Sequence, residues 1–274
     1  MDLKKDFNRV FTKDELFCQL DKLNIPKGKI LLMHSSFRSV GSVVGGAVGF
    51  LDALIEYFTK DGGLFCVPTH TWNNIGKSIT LDMTETKTCL GILSDLSAAD
   101  PRALRSENPT HSIAVFGDRE RAREFVKDEL FLSSGTAPES VYGKLFREGG
   151  FVLLVGVSHN RNTYLHAVDE ILDAPNRLRD SFTTVGVKRA GGEVITSKMR
   201  MMFTDYTNDI SLHFPLYEPA FRYHGAITDG FIGNAPTQAC DAVIMKEVVA
   251  LIRERAGGED PLKNLHGISP RLYC

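Results

Sequence analysis

The stretch KILLMHSSFRSVGSVVGGAVGFLDALIEYFTKDGGLFCV, residues 29–67, decides the fold class. It begins with a short continuous apolar run, residues 29–33, which is typical of a strand buried on both faces. A glycine-rich loop then leads into residues 50–58, where apolar side chains recur at helical spacing. A glycine turn follows, and it leads into a second apolar run at residues 64–67. Strand, loop, helix and strand in this order predict a βαβ unit with parallel strands.

The same alternation continues on both sides of this unit. Thr12 and Glu15 form a capping-box pattern that predicts a helix start. Beyond the unit, the patterns predict a loop at residues 73–88, helices at 90–99, 118–130, 140–147 and 164–172, strands at 112–116 and 151–157, a hairpin around Gly191-Gly192 and a final helix at 241–255. We therefore predict an α/β fold with a largely parallel central sheet flanked by helices and an antiparallel C-terminal elaboration. The chain is expected to form one domain, residues 1–274, with a core of residues 1–180 and an elaboration of residues 181–274.

Charge and hydropathy exclude several classes of partner. The chain carries 32 basic and 34 acidic side chains, so it has no strong field to attract nucleic acid or anionic lipid. Residues 2–17 alternate charged and apolar side chains, without the long apolar run of a signal peptide or membrane span. We expect a cytoplasmic protein with a small-molecule partner, no nucleic acid and no membrane.

The first polar segment that suggests chemistry is His34-Ser-Ser-Phe-Arg38, which follows the first predicted strand. Ligands of open α/β sheets collect at the carboxyl ends of strands, where helix N-termini offer unpaired N–H groups. Hydroxyls, a guanidinium and the loop glycines can surround a pyrophosphate there. The glycine spacing matches neither the Walker pattern nor GxGxxG. The alternative is that these glycines only allow close packing of helix on strand.

The second segment, residues 158–163, is a polar turn whose Asn162 or Thr163 can cap the next helix. On that helix His166, Asp169 and Glu170 stand at positions i, i+3 and i+4, so either carboxylate can lie beside the imidazole. A histidine oriented in this way can act as a general base. The same spacing also fits an exposed salt bridge.

The third segment, residues 108–112, places His111 and Ser112 at the start of a strand, and it fits a turn with a hydrogen-bonded histidine equally well. The eight histidines and five cysteines show no HxxxH or CxxC pattern, so we expect no catalytic metal. Residues 156–160 lack the final glycine of a serine nucleophile elbow, which disfavours a covalent serine mechanism.

In order and spacing, these segments resemble the aminoglycoside 3-N-acetyltransferase family, also called the antibiotic N-acetyltransferases. The residues that carry the resemblance are His34-Ser-Ser36, Gly45-Gly46, Val67-Pro-Thr69, Arg105-Ser106, Pro109-Thr-His-Ser112, Leu153-Leu-Val-Gly-Val157 and Asn162-Thr-Tyr-Leu-His166. The resemblance covers about residues 28–172, and the later third of the chain is similar only loosely.

The resemblance implies an acyltransferase that uses acetyl-CoA as co-substrate and no metal. It implies coenzyme contacts at His34, Ser35, Ser36, Phe37, Arg38, Val43, Gly45, Gly46, Thr69, His111 and Ser112. It places the catalytic base on His166 and the acidic partner on Asp169, where the family usually has glutamate. Glu170 is the alternative partner, and Thr69 is a candidate donor to the oxyanion. The amine then attacks the thioester directly.

The implied acceptor is a primary amine of an aminoglycoside or related amino sugar, as in antibiotic resistance. Residues 72–88 depart most from the family pattern, so the acceptor stays open between an antibiotic, a biosynthetic amine and no acceptor at all, as in a non-catalytic CoA-binding module. Carboxylates that can receive a polycation are Asp82, Glu85, Asp169, Glu170, Asp173 and Asp205. The sequence leaves open whether the protein forms a homodimer.

Overall fold

The structure, a computed structural model, describes residues 9–71, 79–85, 87–203, 209–263 and 267–274. Its strands are β1 (Val10–Phe11), β2 (Ile30–Ser35), β3 (Ser42–Val43), β4 (Leu64–Pro68), β5 (Thr80–Asp82), β6 (Leu104–Arg105), β7 (Ile113–Phe116), β8 (Phe151–Val155), β9 (Leu178–Lys188), β10 (Val194–Met202), β11 (Ile227–Ile232) and β12 (Ala235–Asp241). Its α-helices are α1 (Lys13–Asp21), α2 (Phe37–Val40), α3 (Gly46–Thr59), α4 (Ile92–Ala99), α5 (Arg119–Phe125), α6 (Val141–Arg147), α7 (Tyr164–Ile171), α8 (Glu218–Tyr223) and α9 (Ala242–Arg255).

A seven-stranded sheet with the order β11-β12-β8-β2-β4-β7-β6 forms the centre of the molecule. β2 pairs in parallel with β4 and with β8, and the remaining neighbours pair antiparallel. The predicted α/β class is confirmed, but this sheet is mixed rather than largely parallel, since within it only the three central strands pair in parallel. The predicted βαβ unit is β2-α3-β4, and its strands pair Ile30 with Leu64.

Both faces of the sheet are covered by helices, and strand alternation assigns each side chain to a face. In β2, Ile30 and Leu32 belong to the apolar cluster that includes buried residues of α6, α7 and α9. Leu31 and Met33 belong to the cluster that includes buried residues of α1 and α3. This alternation places the next residue, His34, on the face covered by α7.

The hairpin predicted for the C-terminal part of the chain is present. β9 and β10 pair antiparallel, with Val185 opposite Ser197 and Val187 opposite Ile195, on either side of the turn at Gly191-Gly192. β5 adds to this pair in parallel and forms a three-stranded sheet. Residues 80–82 are therefore strand rather than the predicted loop, whereas residues 73–78 and 86 of that loop lie outside the described residues.

Side-chain caps explain several helix starts. The Thr12 hydroxyl accepts from Glu15 N, and the Glu15 carboxylate accepts from Thr12 N, which confirms the predicted capping box. Asp118 caps α5, but this helix ends at Phe125 rather than near residue 130. Asp241 caps α9 by accepting from two backbone N–H groups. Among the described helices, none is long and apolar enough to span a bilayer.

Candidate active site

Four histidines lie close together at one edge of the central sheet. His34 is in β2, His70 follows β4, His111 precedes the antiparallel β7, and His166 is on α7. Burial lowers the pKa values of His34, His70 and His111, and the nearby His166 lowers them further. The rings of His70 and His111 meet edge to face, with centroids 4.9 Å apart. The structure thus brings all three predicted polar segments together.

His166 is half-buried on α7 and has a neutral imidazole. Its ring meets the Phe214 ring edge to face, with centroids 4.9 Å apart. Burial lowers the pKa of His166 to about 4, Asp209 opposes this shift, and Arg177 reinforces it. No other described residue hydrogen-bonds the ring. At neutral pH the side chain is therefore unprotonated and available to receive a proton.

Neither carboxylate predicted to partner His166 bonds its ring. Asp169 Oδ2 accepts from Arg177 Nε at 2.5 Å, and Arg177 also makes two hydrogen bonds to Asp260. Glu170 accepts from the Ser134 and Thr136 hydroxyls at 2.5 and 2.6 Å. The structure therefore contradicts both predicted pairings with His166, including the alternative salt bridge to Glu170. The two carboxylates hydrogen-bond other side chains instead.

The carboxylate whose charge acts on His166 is Asp209, which the sequence analysis missed. Asp209 caps the 3₁₀ helix Ile210–Tyr217, accepting from Ser211 N at 3.0 Å. The same helix carries Phe214, which contacts the imidazole. An Asp before Ile-Ser is a capping pattern that can be read from the sequence. Its proximity to a helix more than forty residues earlier is not local information.

Thr69 belongs to a buried polar network rather than to an open donor site. The Ser112 hydroxyl donates to the Thr69 carbonyl oxygen at 2.8 Å, so the Thr69 hydroxyl donates to Ser112 Oγ at 2.9 Å. Arg105 Nε donates to Thr69 Oγ1 at 3.2 Å. The single hydroxyl proton of Thr69 is thus used inside the protein, which corrects its predicted role as oxyanion donor. Thr69 and Ser112 instead hold the ends of β4 and β7 together.

His111 is anchored by the loop before β7. Its backbone N–H donates to Asn108 Oδ1 at 2.9 Å, and its Nδ1 lies 2.8 Å from the Thr110 hydroxyl. Asn108 in turn donates to Glu129 Oε2 at 3.0 Å, and Glu129 Oε1 accepts from Val141 N at 2.7 Å. Burial raises the pKa of Glu129 to about 7, although these hydrogen bonds act to lower that pKa. A buried carboxyl group therefore supports the loop that positions His111.

Glu129 should make stability depend on pH. Because its folded pKa of about 7 exceeds the ordinary glutamate value of 4.5, the folded state holds the proton more tightly, and stability falls as pH rises between these values. At 1.36 kcal/mol per pKa unit, the loss reaches about 3 kcal/mol. Urea unfolding at pH 5 and pH 8 should show a smaller loss for Glu129→Gln than for the wild type. The exposed Glu124→Gln is the control, and equal losses in all three proteins would contradict the assignment.

The first predicted coenzyme segment forms the end of β2 and the short helix α2. Ser36 N donates to the Val155 carbonyl at 2.9 Å, and the Ser39 hydroxyl donates to Ser36 Oγ at 3.1 Å. Ser35, at the end of β2, pairs with Val155 of β8. The Phe37 ring packs against Phe50 of α3, with centroids 5.5 Å apart. Phe37 therefore contributes to the core and fixes α2 on α3.

Arg38 differs from its neighbours, since its side chain is exposed and has no ion pair within the described part of the chain. Val43 is buried in β3 and contributes to packing. Gly45 has a φ of 77° as the cap of α3, and Gly46 is the first residue of that helix. The first-turn N–H groups of α3 lack intrahelical partners, as in any helix, and they lie next to exposed glycines.

A cleft of about 610 Å³ opens beside Arg38. Its lining residues are Arg38, Ser39, Gly41, Gly156, Val157, Ser158, Asn234 and Pro236. Two glycines allow the walls to approach closely. A Cβ on Gly41 would lie 2.7 Å from Asn234 Nδ2, and a Cβ on Gly156 would lie 2.5 Å from Ser39 Cβ. This cleft adds Ser158 and Asn234 to the residues found by sequence.

A second cleft, of about 740 Å³, lies one helical turn beyond His166. Its lining includes Glu170, Asp173, Arg177, Arg179 and Arg200. The Arg179 guanidinium lies over the Phe203 ring, 5.5 Å from the ring centroid. Carboxylates and guanidinium groups thus line the same space.

The acidic side chains predicted to attract a polycation have separate positions. Glu170 and Asp173 line the second cleft, and Asp169 lies behind it, bound to Arg177. Asp82 pairs with Lys188 of β9, and Glu85 accepts from Lys87 N. Asp205 lies outside the described residues. In the described ranges, no group of three or more His, Cys, Asp or Glu side chains is arranged to hold a metal ion.

Comparison with known proteins supports the same family. The family model for aminoglycoside 3-N-acetyltransferase matches residues 32–254. The Salmonella aminoglycoside N(3)-acetyltransferase IV is 33% identical over 164 residues, which are 60% of this chain and 60% of that protein. A prophage-derived aminoglycoside N(3')-acetyltransferase-like protein of Bacillus subtilis is 28% identical over 178 residues, 58% of this chain and 64% of the relative. The alignments thus span less than two thirds of these relatives.

Solved structures share the fold over most of the chain. A mutant of aminoglycoside acetyltransferase AAC(3)-IVa in complex with gentamicin has a TM-score of 0.76 at 23% identity, covering 91% of each chain. AAC-IIIb in a binary complex with CoASH has a TM-score of 0.75 at 21% identity, covering 92% of this chain and all of that one. With the family model matching residues 32–254, the chain belongs to the aminoglycoside 3-N-acetyltransferase family.

Proposed function

We propose that this chain is an acetyl-CoA-dependent N-acetyltransferase that acetylates a primary amine of an aminoglycoside or related amino sugar. The observation that carries the proposal is the His166 imidazole, which burial keeps neutral and which no described side chain hydrogen-bonds, in a chain of the family whose solved relatives include complexes with CoASH and with gentamicin. Along the chain, His166 stands between Ser158, which lines the cleft that includes Arg38, and Glu170, which lines the second cleft. The first cleft suits the coenzyme and the second suits the amine.

In this mechanism His166 acts as a general base. The amine nitrogen forms a bond to the thioester carbonyl carbon, and the bond from that carbon to sulfur breaks. His166 takes the proton that the amine loses and returns it to the leaving sulfur. General-base help of this kind contributes ~10²–10⁴ in rate. Alignment of the two substrates contributes further, so the clefts are part of the catalytic apparatus.

The coenzyme cleft fits a phosphate-bearing ligand. Arg38 has an exposed guanidinium with no carboxylate partner in the described ranges, and Ser39 and Ser158 offer hydroxyls beside it. Gly45 and Gly46 open the N-terminus of the 14-residue helix α3, where N–H groups favour anions. Acetyl-CoA supplies the activated acetyl group, and these residues bind and orient it. Phe37 and Val43 support the loop from the core.

Replacing Arg38 by alanine should weaken coenzyme binding. A guanidinium bound to phosphate is worth ~1.5–3 kcal/mol, so we expect Kd for CoA to rise at least tenfold in calorimetry. A second single variant, Ser35→Ala, should change Kd for CoA less than Arg38→Ala does, because Ser35 is held within β2. Arg119→Ala, an exposed arginine on α5, is the matched control. An unchanged Kd for Arg38→Ala would remove Arg38 from the coenzyme site.

A biosynthetic amine is the second candidate acceptor, because Arg179 and Arg200 line the same cleft as Glu170. Guanidinium groups repel a polycation and attract an acceptor with anionic groups. Thiol release from acetyl-CoA, measured with aminoglycosides, simple amino sugars and acidic amino sugars, separates the two candidates. Release of CoA thiol with none of these amines would contradict the proposed enzyme activity and favour a CoA-binding module.

A further inference from the structure

His34 carries a buried nitrogen that the fold leaves unused. The side chain is 8% exposed, and its Nε2 atom has no hydrogen-bond partner among the described residues. Buried polar groups are nearly always paired, because an unmade hydrogen bond costs ~1–3 kcal/mol. An orphan nitrogen at the carboxyl end of a central parallel strand therefore points to a ligand that completes it.

The position of His34 relates this nitrogen to the proposed reaction. Alternation along β2 directs its side chain to the face covered by α7, and its backbone pairs with Leu154 of the neighbouring β8. A proton on His166 would lower the pKa of His34, so the two rings lie within electrostatic reach of each other. Four residues later the chain reaches Arg38 in the coenzyme cleft. His34 is thus within electrostatic reach of the proposed base and close along the chain to the proposed coenzyme cleft.

The other nearby donors already have partners. The Thr69 hydroxyl donates to Ser112. Tyr142 Oη donates to the His111 carbonyl at 3.0 Å, so His70 Nε2 donates to Tyr142 Oη at 2.8 Å. His159 also has an orphan Nε2, but its ring packs on Phe221 of α8, and its charged neighbours are Glu218 and Arg222.

We propose that His34, as the neutral Nε2–H tautomer, donates a hydrogen bond to the carbonyl oxygen of the bound thioester and stabilises the negative charge that develops there. The inference rests on the proposed function and adds a catalytic group to it. No proton leaves His34, because it stays neutral throughout. Burial, with Arg161 and His166 nearby, lowers its pKa to about 3, which keeps the ring neutral at working pH. A neutral histidine can polarise a carbonyl in this way.

Kinetics give the first test. His34→Ala should lower kcat 10²–10³-fold, the usual effect of losing one oxyanion donor, with Kd for CoA changed less than about threefold. His34→Gln places an amide N–H near the position of Nε2 and should recover part of the loss. His159→Gln, which alters the other histidine with an orphan nitrogen, should keep wild-type kcat. If both His34 variants keep wild-type kcat, the proposal is overturned.

A spectroscopic readout separates this role from a structural one. The probe is a ¹³C-carbonyl ketone analogue of acetyl-CoA, with a methylene between sulfur and carbonyl. Its ¹³C resonance should move downfield on binding wild-type protein and His159→Gln, and this shift should be lost in His34→Ala. An equal shift in wild type and His34→Ala would overturn the proposal. If the wild type instead acetylates no amine while the analogue shift still depends on His34, the proposed function fails and the hydrogen bond stands.

Discussion

Replacing His166 by alanine is expected to reduce acetyl transfer by ~10²–10⁴ in kcat while CoA still binds with unchanged Kd. The imidazole is the proposed proton acceptor, and no described side chain hydrogen-bonds it and could substitute for it. The coenzyme cleft beside Arg38 includes no atom of His166, so binding should be unaffected. Thiol-release assays measure kcat, and calorimetry with CoA measures Kd separately.

The control for this change is His224→Ala, directly after α8, where the ring hydrogen-bonds the Tyr273 carbonyl. We expect it to keep wild-type kcat. Asp209→Asn is informative as well, since it removes the charge that opposes the low pKa of His166. It should reduce kcat less than His166→Ala does. Unchanged turnover in His166→Ala would show that another group receives the amine proton.

The secondary structure near the site could be predicted because it depends on local patterns. Residues 29–67 give β2, α3 and β4 through apolar runs, helical spacing and glycine turns. Thr12 and Glu15 form their capping box within four residues, and the Gly191-Gly192 turn sets the register of β9 and β10. Each of these features is decided by neighbours in the chain.

The direction of the outer strands could not be predicted in the same way. β7 pairs antiparallel with β4, although both are buried apolar runs. β12, whose sequence includes Pro236, Thr237 and Gln238, was not predicted as a strand, and it pairs antiparallel with β8. Burial on both faces gives the same continuous apolar pattern for either direction. The direction depends on the intervening connections, which the pattern within each strand does not record.

The partners of the site carboxylates were also beyond local reasoning. On α7, the helical spacing puts both Asp169 and Glu170 within reach of His166, but each carboxylate hydrogen-bonds side chains from other parts of the chain. Glu170 bonds Ser134 and Thr136, and Asp169 bonds Arg177, which is held by Asp260 from the C-terminal region. Helical spacing shows which pairs can meet, and long-range packing decides which pairs do.

Replacing Arg177 by methionine is expected to cost ~3–5 kcal/mol of unfolding free energy, the usual effect of removing one member of a buried charge group. Arg177 bonds Asp169 at 2.5 Å and Asp260 at 2.8 and 3.1 Å, and all three side chains are less than a tenth exposed. The change leaves two buried carboxylates without their cation. Urea unfolding should show this loss, and the midpoint of thermal unfolding should fall on the order of 10 °C.

Arg102 offers a matched control at the surface. It also bonds two carboxylates, Asp52 and Asp100, each at 2.6 Å, but its own side chain is 53% exposed. Arg102→Met should therefore cost less than about 1 kcal/mol, because solvent screens exposed pairs. Asp169→Asn should also lower stability. If Asp169→Asn kept full stability and lost turnover, Asp169 would act on the catalytic base, directly or through Arg177, rather than on the fold.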